Sequence, residues 1–230
     1  MPDFHRPHHR AVARILRALN AELLSQAVCY FGGGTHLAMS FGEYRESRDI
    51  DFLCSSRAGF RLLREQVSDR SLGRVLGRPL SLAREVRSDR DGIRTFLAVD
   101  DLKIKFEILL EARIDLAGAV DPHFDVPVLA KEHAIALKLL ANTDRGLDDA
   151  ALSRDLIDLA FVAMHVDKHK LQTGLVIAEQ AYGSTVRRQL KLSLDAFQDR
   201  ARASSCIEAL AIDDTVSMRK GMRLLRGLLA

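Results

Sequence analysis

Two aspartates one residue apart, Asp49 and Asp51, lie in the stretch RDIDFLC at 48–54, where charged and apolar residues alternate. This alternation is typical of a β-strand and predicts that both carboxylates project from one face. Glu107 lies on the polar face of another alternating stretch, LKIKFEI at 102–108. If the two strands are neighbours, three carboxylates converge, and two such charges about 4 Å apart repel by roughly 4 kcal/mol at an effective dielectric near 20. Hard oxygen ligands crowded in this way predict Mg²⁺ or Mn²⁺ bound by Asp49, Asp51 and Glu107. The alternative for the aspartate pair alone is a solvated strand face.

Three consecutive glycines precede the aspartates and directly follow the apolar run AVCYF at 27–31. Glycine lets the backbone approach a bulky ligand closely and adopt positive φ. Exposed amides between a strand and a helix form a cradle for phosphate oxygens, so Gly33 and Gly34 are candidates for binding a phosphate group. A glycine turn of purely structural use is the alternative. No Gly-Lys-Ser/Thr follows, so the stretch is not a Walker loop.

The elements that must position these residues are α-helices and β-strands in roughly separate parts of the chain. Helices are predicted over 8–27, 36–41, 58–71, 130–142 and 153–165, and strands over 27–31, 50–52, 80–88, 93–99 and 102–108. Asp91-Gly92 and Asp100-Asp101 are predicted tight turns. Strand signals stop near residue 115, and Pro122 and Pro127 are expected to bracket a linker. This order predicts an α+β fold, with a small mixed sheet flanked by helices in a domain over 1–120 and a helical domain over 121–230.

Composition is that of an ordinary globular protein, with 47% hydrophobic and 28% charged residues and a net charge of +3. No stretch of 18 apolar residues is present and the N-terminus does not resemble a signal peptide, so we expect a cytoplasmic protein without membrane contact. Three widely spaced cysteines predict neither a zinc site nor a disulfide framework.

The combination of a strand, glycines, a helix, D-x-D and a third acid resembles the polymerase-β-like nucleotidyltransferase superfamily. More narrowly, G-G-T-x-L followed by R-x-S-x-D-I-D resembles the AbiEii/AbiGii abortive-infection toxin family. The matching residues of this chain are Gly33, Gly34, Thr35, Leu37, Arg45, Ser47, Asp49, Ile50 and Asp51. The resemblance implies a nucleotidyltransferase fold, metal binding by the two aspartates, and a role for Thr35 in holding a triphosphate. Arg45 and Ser47 are then expected to contribute to nucleotide binding.

A later stretch, 133–162, is similar to that family's helical motif of a lysine followed by R-D-x-x-D. The matching residues are Lys138, Arg154, Asp155 and Asp158. Lys138 lies on an otherwise apolar helix, so its charge needs a partner or a phosphate. We therefore expect Lys138 to steady a triphosphate, with Asp155 and Asp158 near the nucleotide. A salt bridge between helices is the alternative, and both interpretations can hold together.

The resulting hypothesis is an enzyme that transfers a nucleoside monophosphate from an NTP to a hydroxyl of RNA, such as a tRNA end, or of a protein, with Asp49, Asp51, Glu107 and Lys138 in its site. By resemblance it would be the toxin of a bacterial toxin–antitoxin or phage-defence pair, with a cognate antitoxin. A nucleotide- or partner-binding module without turnover is the second hypothesis. A metal-dependent nuclease shares the acids but gives the glycines no role.

Three further groups of residues have weaker interpretations. Arg45 and Arg48 could neutralise a triphosphate or pair with the aspartates, and Lys103 and Lys105 are expected to offset the acids. The histidines His5, His8 and His9 are expected to lie in a flexible N-terminal tail.

Overall fold

The structure is a computed structural model that describes residues 4–229. The described chain divides into two compact units. Unit 1 contains the residues up to His36 together with Ser47–Ala130, and unit 2 contains Leu37–Glu46 together with the residues from Lys131 onward. The chain thus passes from unit 1 to unit 2 inside one helix, two residues after the last glycine, and returns before the aspartates.

Residues 4–229 form ten α-helices and two short 3₁₀ helices, at Gly73–Val75 and Asp149–Ala151. The α-helices are α1 (Pro7–Leu16), α2 (Ala21–Gln26), α3 (Gly33–Ser40), α4 (Arg57–Arg64), α5 (Lys131–Arg145), α6 (Arg154–Ala163), α7 (Lys168–Tyr182), α8 (Thr185–Ala196), α9 (Arg200–Ala209) and α10 (Thr215–Leu228).

Unit 1 is built on one mixed sheet, which has eight strands within residues 4–229. The strands are β1 (Cys29–Gly32), β2 (Ile50–Cys54), β3 (Ser81–Leu82), β4 (Arg87–Ser88), β5 (Gly92–Val99), β6 (Leu102–Leu110), β7 (Gly118–Asp121) and β8 (Val126–Leu129). They are ordered β3-β5-β6-β2-β1-β8-β7, with β4 also paired to β5. The β2–β6 and β1–β8 pairs are parallel, and the other pairs are antiparallel. The predicted α+β architecture, a mixed sheet with helices and a helical C-terminal part, is confirmed.

The sheet follows the alternation of the sequence. In β6, Ile104, Phe106 and Ile108 are fully buried, whereas Lys103 is exposed. Helices α1, α2 and α4 pack on strands of this sheet, and Phe31 of β1 contacts Phe52 of β2 at a ring-centroid distance of 5.6 Å. The apolar side chains therefore form a core that fixes which face of β2 and β6 remains polar.

Two predicted helices are shorter than expected. The predicted helix over 8–27 is two helices, because the chain turns after Leu16 and Asn20 begins α2 by accepting a hydrogen bond from the Leu23 amide. The predicted helix over 58–71 ends at Arg64, and 68–71 instead form a tight turn in which Ser68 and Ser71 bond each other's backbone. Local capping and turn bonds overrode apolar periodicity in both cases.

The prediction that strands stop near residue 115 and that Pro122 and Pro127 bracket a linker is wrong. Residues 118–129 contain β7 and β8, and β8 pairs with β1 through Phe31 and Val128. Pro127 lies within β8, opposite Val120 of β7, which is the edge strand. Two four-residue strands containing a proline give almost no periodic signal, so the sequence could not reveal them.

Unit 2 is helical, and α6 is its buried centre. Every residue of α6 from Asp155 to Ala163 is buried. Helix α10 crosses it closely at Gly221, where any side chain would collide with the carbonyl group of Ala160. The two aspartates of α6 are therefore carried into the core of this unit. No helix within residues 4–229 has the length and apolar character needed to cross a membrane.

Candidate active site

One row of residues crosses four neighbouring strands of unit 1 and brings the predicted acids together. Arg94 of β5 pairs with Glu107 of β6, Glu107 pairs with Asp51 of β2, and Asp51 pairs with Gly32 of β1. Directly paired residues project from the same face of a sheet, so Asp51 and Glu107 share one face. Asp49 lies two residues before Asp51, next to the start of β2, and is exposed. The two acidic strands are thus neighbours, as the sequence analysis supposed, and we call Asp49, Asp51 and Glu107 the acidic cluster.

The glycines end beside this cluster. Gly33 begins α3 with a φ of +69°, and a Cβ placed on it would lie 3.1 Å from both Cβ and Cγ of Asp51. A residue with a side chain would be strained by this backbone and would press on the aspartate. Glycine is therefore required where the backbone turns past Asp51 into the helix.

Thr35 and Ser47 join the two halves of the motif. The Thr35 hydroxyl donates a hydrogen bond of 2.8 Å to the Ser47 hydroxyl. Thr35 is buried at the start of α3, and Ser47 precedes Asp49 by two residues. This bond ties the glycine turn to the segment that carries the aspartates.

The expected flexible tail of histidines is wrong for His8 and His9. Both lie in α1, and His9 is fully buried. His9 Nε2 accepts a 3.4 Å hydrogen bond from the Ser47 amide, and His8 Nε2 lies 2.8 Å from the Arg48 carbonyl oxygen. The predicted helix over 8–27 already contained both residues, but the sequence analysis did not identify them as supports of the motif.

Glu107 is held by two basic side chains. Lys105 Nζ donates to Glu107 Oε2 at 2.5 Å, and Arg94 Nε lies 3.3 Å from Glu107 Oε1. Burial alone would lower the pKa of Lys105, but Glu107, Asp49 and Asp51 together raise it. The expectation that Lys105 offsets the acids is confirmed, and Arg94 is a second partner that the sequence analysis did not identify.

The acidic cluster has the oxygen ligands that a divalent cation needs, but its carboxylates are not already grouped around one point. Its carboxylate oxygens are the ligands that Mg²⁺ and Mn²⁺ prefer, and Asp49 is exposed to incoming ions. Within residues 4–229, however, no three His, Cys, Asp or Glu side chains are already grouped so that they could hold a metal ion. The oxygens of Glu107 instead face Lys105 and Arg94.

Lys138, Asp155 and Asp158 of the helical motif form a separate buried ion-pair network inside unit 2, whereas Arg154 of the same motif is exposed. Asp158 accepts from Arg45 Nε at 2.7 Å and Nη2 at 2.9 Å, and from the Tyr44 hydroxyl at 2.7 Å. Lys138 Nζ lies 2.8 Å from Asp155 and 2.7 Å from Asp158. The salt bridge between α5 and α6 that the sequence left as an alternative is thus present.

Burial and charge act in opposition on these groups. Burial by itself would raise the pKa of Asp158, but the charges of Arg45 and Lys138 outweigh it and lower that pKa. Burial likewise disfavours charge on Asp155, whose pKa is lowered by Lys138 and by Arg145, with Arg145 Nε 2.7 Å away. Both aspartates are therefore anionic and stabilised by their partners. Contact of Arg45, Lys138, Asp155 and Asp158 with a nucleotide stays a prediction.

Comparison with known proteins identifies the family. The sequence profile described as nucleotidyl transferase AbiEii toxin, type IV toxin–antitoxin system, matches residues 14–215. The chain belongs to the AbiEii nucleotidyltransferase toxin family. The resemblance to the AbiEii family that the sequence analysis gave is therefore confirmed. The matched residues include both the glycine–aspartate motif and the helical motif. No curated protein sequence matches this AbiEii chain.

Solved structures share the fold of this AbiEii protein at low identity. A proposed nucleotidyltransferase from H. pylori is 17% identical, with a TM-score of 0.58 over 99% of this chain and 96% of that one. JHP933 from Helicobacter pylori is also 17% identical, with a TM-score of 0.57 over 97% and 93% of the two chains. These likenesses confirm the predicted nucleotidyltransferase fold.

Proposed function

We propose that this AbiEii protein is a divalent-metal-dependent nucleotidyltransferase that transfers a nucleoside monophosphate from an NTP to a hydroxyl group of RNA or of a protein. The observation that carries the proposal is the contact between two parts of one motif. Gly33, which must be glycine, turns against Asp51, and Asp51 is paired in register with Glu107. This contact supports the proposal because it brings a backbone suited to phosphate next to carboxylates suited to a metal ion, within one unit.

The start of α3 is suited to the β- and γ-phosphates. The first amides of a helix have no partner within the helix and carry a partial positive charge, and glycines leave them open to an anion. Gly33 and Gly34 are half-buried at this end, where Thr35 is fixed by Ser47. We therefore assign phosphate binding to the backbone of Gly33, Gly34 and Thr35, with Ser47 holding Thr35 in place.

The acidic cluster is suited to the reacting phosphate. Asp49, Asp51 and Glu107 would hold Mg²⁺ or Mn²⁺, and the ion would supply positive charge to the phosphates and make the acceptor hydroxyl easier to deprotonate. The acceptor oxygen forms a bond to the α-phosphorus while the bond from that phosphorus to the bridging oxygen breaks, and pyrophosphate leaves. The acceptor proton passes to a carboxylate of the cluster, for which Glu107 is the candidate. Positioning and charge neutralisation supply most of the rate in such transfers.

The biological setting we propose is that of the family, a toxin opposed by a cognate antitoxin. The experiment that tests the chemistry incubates the protein with total tRNA and with each α-labelled NTP in turn, with and without Mg²⁺. The wild type is compared with Asp51→Asn and with Asp101→Asn, an exposed aspartate in the β5–β6 turn that serves as the matched control. We expect label to move to RNA or to protein only with Mg²⁺, equally in the wild type and the control, and not in Asp51→Asn.

Two outcomes would replace this proposal. Metal-dependent NTP binding in a calorimetric titration, with no label transferred to any acceptor, would make the protein a binding module. Shortening of RNA without added NTP, lost in Asp51→Asn, would make it a nuclease. Equal labelling by the wild type and Asp51→Asn would remove the acidic cluster from the mechanism.

A further inference from the structure

The ammonium group of Lys105 contacts Glu107 of the acidic cluster. Its Nζ donates to Glu107 at 2.5 Å, and it also interacts electrostatically with Asp49 and Asp51. Lys105 precedes Glu107 by two residues on β6, so the two side chains share a face of the sheet. One lysine therefore interacts with all three carboxylates that we assign to the metal.

Lys105 occupies an oxygen that a divalent cation bound to the acidic cluster would need, because its Nζ lies 2.5 Å from Glu107 Oε2. A cation held at that oxygen would be repelled by the ammonium group at short range. Lys105 and the metal ion would thus compete for the same carboxylate oxygens, because two cations cannot both lie close to them without repelling each other.

Lys105 and Arg94 differ in how easily each can move away from Glu107. Arg94 is anchored on both sides, with its guanidinium at 2.9 Å from Asp89 and at 3.3 Å from Glu107. The Lys105 side chain is 38% exposed and that of Arg94 36%, but among the described residues Lys105 donates its side-chain hydrogen bond to Glu107 alone. A lysine ammonium is a compact charge on a flexible stem that reaches solvent without moving the backbone. Lys105 is therefore the partner that can be exchanged.

We propose that Lys105 is a built-in counter-ion that holds the acidic cluster together in the metal-free protein and is displaced when Mg²⁺ or Mn²⁺ binds. Metal binding is then an exchange of one cation for another, and Lys105 weakens it while stabilising the empty site. This inference rests on the proposed function in one respect, because it takes the acidic cluster to be the metal site. Lys105 acts as a positioning residue for Glu107 and not as a catalytic one.

The test measures metal affinity and stability rather than turnover. Mn²⁺ alone is titrated into the full chain and followed by electron paramagnetic resonance of the free ion, and thermal unfolding is recorded in EDTA and in Mn²⁺. In Lys105→Gln we expect Mn²⁺ to bind roughly ten-fold or more tightly than in the wild type, since a nearby positive charge is removed. The same variant should melt at a lower temperature in EDTA and gain more from Mn²⁺.

Three further variants make the result interpretable. Lys103→Gln removes an exposed lysine from the same strand face and should match the wild type, and Lys105→Arg keeps the charge and should retain the weaker binding. A purely structural Lys105 would lower the melting temperature without tightening Mn²⁺ binding, and that result overturns the inference. If the wild type binds Mn²⁺, Asp51→Asn does not, and Lys105→Gln binds no more tightly, the counter-ion role fails while the metal site stands. Absence of Mn²⁺ binding in every variant refutes both.

Discussion

Replacing Asp158 with asparagine tests whether the buried ion-pair network supports the fold of unit 2. The Asp158 side chain is 0% exposed, and its two oxygens accept from Arg45, Tyr44 and Lys138 at 2.7 to 2.9 Å. Asparagine keeps the shape but removes the negative charge and turns a donor toward other donors. Removing one partner of a buried ion pair costs about 3–5 kcal/mol, because the other charges stay buried without compensation.

The assay is urea unfolding at pH 7, supported by thermal melting. For a chain of this size a loss of 3–5 kcal/mol corresponds to a fall in the melting temperature of roughly 6–20 °C. Glu208→Gln is the matched control, since Glu208 is an exposed acid of the same unit and should change the free energy of unfolding by less than about 0.5 kcal/mol. Combining Asp158→Asn with Arg45→Gln should cost much less than the sum of the two single changes, because each already breaks the same pair. A variant Asp158→Asn as stable as Glu208→Gln would refute the assignment of the network to stability.

Two further predictions concern the glycine turn and the stability of the protein at low pH. Gly33→Ala should lower the free energy of unfolding by at least about 1 kcal/mol more than Gly42→Ala. Both residues have positive φ, but of the two only Gly33 packs against Asp51. Equal losses of stability in chemical denaturation would show that the contact with Asp51 is unimportant. Because their partners lower the pKa values of Asp155 and Asp158, the unfolded chain binds more protons than the folded one in acid. This contribution is present above the unfolded value of about 3.9 and is lost as the pH falls through the lower folded values. The free energy of unfolding should therefore fall as the pH is lowered from about 5, roughly where this titration starts, to about 3, roughly its middle. An equally steep fall in Asp155→Asn would show that Asp155 is not a source of this pH dependence.

The register of one strand pair could have been predicted from the sequence in full. A two-residue turn at Asp100-Asp101 places Val99 opposite Leu102, and counting outward along the hairpin brings Arg94 opposite Glu107. The turn and both alternating strands are visible in the sequence, so Arg94 could have been named as the partner of Glu107. Local geometry carries this information without any knowledge of the rest of the fold.

The parallel pairing of β2 with β6 could only be supposed. The paired residues Asp51 and Glu107 lie far apart in the chain, and no turn links their strands directly. Their register is set by the apolar face, where Phe52 and Ile108 are both fully buried and pair directly. Sequence alternation gives the face that each acid takes, but not the neighbour across the sheet.

The motif residue Arg45 shows a different limit. Its place between the glycines and the aspartates suggested a nucleotide contact, yet its guanidinium is buried with Asp158 of α6. Nothing local in the sequence distinguishes an arginine that faces a ligand from one that pairs with a distant carboxylate. Lys138 was recognisable as needing an ionic partner because it lies on an otherwise apolar helix. Asp155 and Asp158 were recognisable as sharing a helix face because they are three residues apart on α6.

Because unit 2 draws on Leu37–Glu46 as well as on the residues from Lys131 onward, it cannot be cut out of this protein as one continuous fragment. A polypeptide that starts at Lys131 would lack Tyr44 and Arg45, and the Asp158 carboxylate would keep only Lys138 among its present donors. We expect such a fragment to expose apolar surface and aggregate on expression. Chimaeras that exchange C-terminal halves between related toxins would have to transplant the short upstream stretch together with the helices.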